Sequence, residues 1–248
     1  MGPSLKRPSA LNFEELVLYE DNHLLVVNKP VGVLVQADAT GDVTLFELAK
    51  AYIKKKYHKP AGVYLGLVHR LDRVTSGVVI FARTSKAASR LSEALRQRKI
   101  EKLYLAVVHG EPPEIGFAED FLDWDRQKRR ALLTAQGKRA CLRWKRLKSG
   151  QGRSLLLLNP LTGRKHQIRA QLAARGYPIV GDFKYGSREK IAGGRGILLH
   201  AWQLRLPHPT QKISLLLEAP LPPHWPEHFS PPSGEFGLEK FAFEGNLS

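Results

Sequence analysis

Val63-Tyr64-Leu65-Gly66-Leu67-Val68 and Val78-Val79-Ile80-Phe81-Ala82 enclose a polar stretch, His69-Arg70-Leu71-Asp72-Arg73-Val74-Thr75-Ser76-Gly77. The two apolar runs have strand length and β-branched content, so they read as strands, and the stretch between them as a turn-like loop. Loops carried at strand ends hold reactive groups more often than core positions do. Asp72 lies between Arg70 and Arg73, a positive neighbourhood that keeps a carboxylate ionised even when partly desolvated. Residue types alone leave two readings of Asp72: a turn or ion-pair carboxylate, or a reactive one.

Upstream, residues 24–28 are strand-like and close in a turn at Lys29-Pro30-Val31-Gly32. Thr44 suits the cap of a helix with Leu45, Leu48 and Tyr52 on one face. Residues 85–99 predict an amphipathic helix, with Ala88, Leu91 and Leu95 inward and Arg90, Arg96 and Arg98 outward. Downstream, residues 103–108, 141–147, 155–158, 197–206 and 212–217 read as strands. A helix fits residues 164–175, stopped by Gly176. Many strands with two or three helices, and no regular alternation, predict an α+β fold. It is a single domain with a mixed, mainly antiparallel sheet flanked by a few helices and loops. A doubly wound nucleotide fold is not expected. The expected layout is a flexible leader over 1–15, a catalytic domain over 16–220 and a proline-rich tail over 221–248.

Composition narrows the partner. Of 248 residues, 39 are Lys or Arg and 23 are Asp or Glu, a formal net charge of +16. That excess attracts phosphate backbones. Hydrophobic residues make up 43% of the chain, which is enough for a core. The single cysteine, Cys141, excludes a disulfide framework and a thiolate-rich zinc site. No apolar run approaches the roughly 18 residues of a membrane helix, and residues 1–10 hold no secretion signal. The expected protein is soluble, cytoplasmic and without membrane contact. The basic residues are dispersed, as in Lys54-Lys55-Lys56 and Lys138-Arg139, and so predict a broad docking face.

Two further groups carry chemistry. Thr162-Gly163-Arg164-Lys165-His166-Gln167-Ile168-Arg169 lies at an expected helix start, where free amides and cations suit a phosphate or carboxylate. A solvated basic helix face is the alternative. Tyr104 occupies an inward strand position, so it belongs to the core unless it faces a pocket, where it could stack on a base for ~1–3 kcal/mol. His166, His200 and His208 lack a second metal ligand at convincing spacing. No phosphate-binding glycine loop or dinucleotide fingerprint occurs. No metal or cofactor is expected.

These motifs resemble those of the RluA-type RNA pseudouridine synthases. Four further stretches agree with the family in the same order as His69 to Gly77. They are Glu20-Asp21 with Leu25-Val26-Val27-Asn28-Lys29-Pro30 and Gly32, then Lys102-Leu103-Tyr104, then Thr162 to Arg169, and lastly Gly176-Tyr177-Pro178-Ile179-Val180-Gly181-Asp182 with Tyr185-Gly186 and Leu199-His200-Ala201. The resemblance covers about residues 16–220. It implies the pseudouridine synthase fold and a cofactor-free isomerisation of uridine in ribosomal or transfer RNA, with the target base flipped out. It implies that Asp72 is the essential aspartate, that Tyr104 packs on the uracil and that Arg169 pairs with Asp72. Arg70 fills the gap left by the base and Ile168 shapes the pocket. His69, Arg73 and Arg164 flank these residues and are expected to contact substrate. Whether the carboxylate acts as nucleophile or base stays open.

Many relatives carry an N-terminal RNA-binding domain. The leader is too short for one, so affinity is expected from the basic surface of a monomeric catalytic domain. The rival reading is a non-catalytic RNA-binding or ribosome-assembly factor on the same fold.

Overall fold

The computed structural model describes residues 11–60 and 62–231. In chain order the elements are β1 (Val17–Glu20), β2 (Leu24–Lys29), α1 (Leu45–Lys56), β3 (Gly66–Leu67), β4 (Ser76–Ala82), α2 (Ser85–Arg96), β5 (Glu101–His109) and β6 (Ile115–Asp125). There follow β7 (Arg130–Leu133), β8 (Lys138–Gly150), β9 (Arg153–Pro160), α3 (Gln167–Ala174), β10 (Leu199–Pro207) and β11 (Ser214–Glu218). The strands form one sheet in the order β1-β2-β4-β10-β5-β9-β8-β6-β7, with β11 beside β10 and β3 beside β4. Among the described residues β4 with β10 is the one parallel pair. This is the expected mixed, mainly antiparallel α+β architecture.

All seven residues of β4 are buried because helices cover both its faces. Val79 and Phe81 pack with Leu45 and Ile53 of α1, while Val78 and Ile80 face Leu91 of α2. α3 covers the other half of the first face, with Ile168 and Leu172 against Ala106, Leu142 and Leu156. Tyr104 packs against both clusters on this face. Thr44 begins α1 with a reciprocal cap: its hydroxyl accepts from the Glu47 amide at 3.2 Å, and the Glu47 carboxylate accepts from the Thr44 amide at 2.8 Å. Such a cap is worth ~1 kcal/mol. In α2 the buried stripe is Ala87, Leu91 and Ala94; Ala88 and Leu95 flank it half-buried, one step from the expected face. No helix among the described residues is long and apolar enough to cross a membrane.

The packed structure begins before residue 16 and runs past 220. Asn12 caps a 3-10 turn, Phe13–Leu16, and Phe13 is buried beside Tyr52. The expectation of a flexible leader is therefore corrected for residues 11–15. At the other end Trp225 and Phe229 are buried against Leu103, Leu105 and Leu157. The tail expected from 221 thus lies over the surface and is anchored in the core by these two rings, with Pro223, Glu227 and His228 exposed; burying each such ring is worth roughly 2–3 kcal/mol. Residues 1–10 and 232–248, where the rest of the leader and tail were expected, lie outside the described residues.

The loop between β3 and β4 is pinned from three sides. The Arg73 carbonyl accepts from the Gly32 amide at 2.8 Å and from Lys29 Nζ at 3.2 Å; the Val74 carbonyl accepts from the Ile197 amide at 3.1 Å. Gly77 sets the end of this loop against β10. Its φ is +114°, and a Cβ added there would stand 2.2 Å from the Ala201 carbonyl oxygen. Gly77→Ala is therefore expected to cost more than about 3 kcal/mol, seen as a large fall in the urea unfolding midpoint. An unchanged midpoint would mean that the parallel register does not depend on this contact.

Candidate active site

Asp72 stands at the boundary between two clefts. One, of about 510 Å³, is lined by His69, Arg70, Tyr104, Arg164, Ile168 and Arg169, among others. The other, of about 450 Å³, includes Arg70, Arg73, Trp124, Arg129, Lys165 and Lys184. Asp72, Arg70, His166 and Arg169 line both. The structure thus brings the three candidate catalytic residues, Asp72, Tyr104 and Arg169, to one cavity wall.

The partner of Asp72 is Arg169, not the arginines beside it in sequence. Arg169 Nη1 donates to Asp72 Oδ2 at 2.9 Å. Its Nε and Nη2 donate to the two oxygens of Asp182 at 2.6 and 2.8 Å. This fork is nearly closed to solvent: the side chains of Arg169 and Asp182 are 5% and 1% exposed, and that of Asp72 is 26% exposed. Burial opposes the guanidinium charge, yet the two carboxylates outweigh it and raise the Arg169 pKa. Asp72 Oδ1 accepts no hydrogen bond among the described residues, and the residue lines both clefts. Arg73 turns away, donating from Nε to the Gly32 carbonyl at 3.1 Å and pairing with Asp42 at 2.7 Å. The expected flanking of Asp72 by Arg73 is corrected accordingly. Arg70 is exposed on the rim of both clefts.

Tyr104 has both roles considered for it: its ring packs on the core and lines the first cleft. Burial, and then the charge of Asp72, raise its pKa, so the phenol stays neutral. His69 lines the same cleft. Burial and the nearby Lys102 lower its pKa to about 3. The neutral ring accepts the Ile80 amide at Nε2, 3.2 Å away, which leaves its proton on Nδ1. Ile168 is buried in the cleft wall. Arg164 donates from Nε to the Arg139 carbonyl at 3.0 Å and also lines the cleft.

The segment before α3 is a latched loop, so the helix starts at Gln167 and not at the expected residue 164. The Gln167 side-chain oxygen accepts from Thr162 Oγ1 at 2.7 Å and from the Arg164 amide at 3.0 Å; its amide donates to the Cys141 carbonyl at 2.9 Å. His166 then adopts left-handed backbone, φ 55°. Burial lowers its pKa to about 4 despite Asp72. A neutral imidazole 3.6 Å from Asp72 Oδ2 is a polar neighbour and not an ion pair. Its Nδ1 lies 3.1 Å from the Tyr185 hydroxyl.

Four contributors have no role assigned from sequence, although Lys29, Asp182 and Tyr185 stand within the motifs quoted above. Asp182 holds Arg169 from behind. Lys29 is fully buried, and its ammonium donates to the carbonyls of Pro30, Val33 and Arg73 at 3.0, 2.8 and 3.2 Å. Burial pulls its pKa down to about 7, while three carbonyl acceptors call for all three ammonium protons. A lone lysine closing the apolar run 24–27 is the signal for it. Trp124 sits edge-on to His166, with Lys165 Nζ 3.5 Å from its ring centre. Tyr185 links His166 to Ala131 of β7.

The family profile described as RNA pseudouridylate synthase matches residues 23–174. The chain is 36% identical over 220 residues to the ribosomal large subunit pseudouridine synthase C of Buchnera aphidicola subsp. Baizongia pistaciae, covering 84% of this chain and 68% of that protein. It is 33% identical over 212 residues to the dual-specificity RNA pseudouridine synthase RluA of Escherichia coli strain K12, covering 83% of this chain and 92% of that one. Among solved structures it is similar to human RNA pseudouridylate synthase domain containing 4. That match has a TM-score of 0.71 and 26% identity, and covers 88% of this chain and 91% of the other.

Proposed function

Because this chain belongs to the RluA-type branch of the RNA pseudouridylate synthases, it is an isomerase acting on RNA. We propose that it converts a specific uridine to pseudouridine in ribosomal or transfer RNA, with Asp72 as the reacting carboxylate. The observation that carries this reading is the Asp72–Arg169 pair, which leaves one carboxylate oxygen without a hydrogen bond in a residue that lines the same cleft as Tyr104. Relatives named for the large ribosomal subunit support ribosomal RNA as one substrate class.

The reaction needs neither electrons nor water. The bond from C1′ of the ribose to N1 of uracil breaks, the detached ring turns, and C5 bonds to C1′. The C5 hydrogen leaves as a proton and N1 gains one, so composition and oxidation state are unchanged. Asp72 acts as nucleophile on the anomeric carbon or as base toward a neighbouring ribose proton. A base inside a helix cannot reach it, so the nucleotide is extruded at a cost of a few kcal/mol. Arg70, on the rim of both clefts, occupies the vacated stack. Tyr104 packs on the uracil, and its neutral phenol adds no charge against Asp72. Arg169 holds one carboxylate oxygen by a hydrogen bond and leaves the other for the sugar. Arg164 and Arg73 contact the surrounding phosphates, while His69 and Ile168 shape the wall.

The protein, incubated with ribosomal and transfer RNA transcripts, is expected to generate pseudouridine at a defined uridine, read by chemical mapping. Binding of both RNAs without any conversion would instead establish a non-catalytic RNA-binding factor.

A further inference from the structure

The cleft holding Asp72 does not end at Tyr104. Past a shared wall of Leu95, Lys102, Pro160 and Gly163 it continues into a basin of about 670 Å³. This basin shares no residue with the Trp124 cleft on the other side of Asp72. Four separate elements bring cations to it: Arg98 from the turn after α2, Lys102 from the start of β5, Arg143 from β8 and Arg164 from the loop before α3. The fifth cation, Arg96, is held by Glu93. The single carboxylate on the wall, Glu101, lies 3.8 Å from Arg205.

Two of these charges, on Lys102 and Arg98, are placed to meet an anion. Lys102 and Arg98 take part in no ion pair among the described residues. Lys102 is half-buried at the junction, two residues from Tyr104 on the same face of β5. A desolvated ammonium is costly unless an anion comes to it, and its pKa is lowered by that desolvation. Arg98 is held at φ +56°, a conformation unfavourable for a side chain, by its amide bond to the Leu95 carbonyl at 3.1 Å.

We propose that Arg98, Lys102, Arg143 and Arg164 form a phosphate track that seats the RNA strand on one side of the target uridine. The proposal rests on the function read above and names the route of its substrate. The strand crosses Asp72 from one basic cleft to the other, so phosphates set its register and the cavity reads the base.

The test uses a fluorescently labelled RNA hairpin with a uridine-rich loop and single-stranded flanks, and two forms lacking the 5′ or the 3′ flank. Anisotropy gives Kd as a function of salt. Arg98→Asn with Arg143→Gln is expected to weaken binding about tenfold and to reduce the salt slope by about 1.4, or ~0.7 per phosphate lost. Arg98→Asn alone, the milder change should the pair disturb folding, is expected to reduce it by about 0.7. The loss should vanish on one truncated RNA and persist on the other, with kcat at saturating RNA unchanged. Lys86→Gln with Lys212→Gln, both exposed and lining none of the three clefts, should change affinity by less than about threefold. The track is overturned if that control pair weakens binding as much, if the loss is equal on both truncated RNAs, or if no loss occurs. A wild-type protein that binds but forms no pseudouridine faults the enzyme reading, while the same Kd comparison still judges the track.

Discussion

Asp72→Asn is expected to lower pseudouridine formation by at least about 10⁴-fold while RNA affinity stays within about twofold. Asparagine has the same shape and can still accept from Arg169 Nη1, so the local geometry survives. What it loses is the carboxylate's charge and the oxygen that Arg169 leaves unbonded. Arg169 keeps both bonds to Asp182, so no buried cation is orphaned. The side chain replaced is 26% exposed, and its removal uncovers no deep cavity. The unfolding midpoint should therefore move little, which separates lost chemistry from lost structure. Single-turnover conversion, measured with Kd and the midpoint on the same preparation, gives all three numbers. A near wild-type rate would remove Asp72 from the reaction.

How much of this arrangement was legible beforehand depends on how local its causes are. The loop at 69–77 is framed by two apolar runs, and Thr44 with Glu47 carries a helix start within four residues. Both were readable because their determinants are neighbours in sequence. The β6–β7 hairpin was not. β6 buries only Ala118 and Leu122 and exposes Ile115, Phe117 and Phe121, so its apolar residues follow no strand period with one dry face. It lies near the edge of the sheet with Ile115, Phe117 and Phe121 on its open face, and it carries Trp124 into the second cleft. The start of α3 was misplaced because the side chain of Gln167 holds residues 162–166 as a loop, and helix propensity does not register that latch. Asp182 was visible only as part of a motif. Its purpose depends on Arg169, 13 positions earlier, and on a loop about 110 positions away. Burial at that depth arises from tertiary packing alone.

The second large effect follows from that buried carboxylate. Arg169→Met should destabilise the protein by about 3–5 kcal/mol, because Asp182 is left charged and unpaired at 1% exposure. For a chain of this size that is a fall in Tm of roughly 6–20 °C. Activity should fall as well, since Asp72 loses the donor that orients it. The two losses have different origins, and a second substitution separates them. Asp182→Asn added to Arg169→Met removes the orphan charge, so most of the stability should return, a favourable coupling of at least about 2 kcal/mol in a double-mutant cycle. Conversion should not return, because nothing restores the contact with Asp72. Arg169→Lys is the intermediate case: one ammonium cannot span both carboxylates in the planar fork that the guanidinium provides. It should keep more stability than Arg169→Met and still lose most of the rate. If the double variant were as unstable as Arg169→Met, packing of the arginine stem, and not charge balance, would hold this part of the site together. If the double variant regained activity, Arg169 would have no part in positioning Asp72.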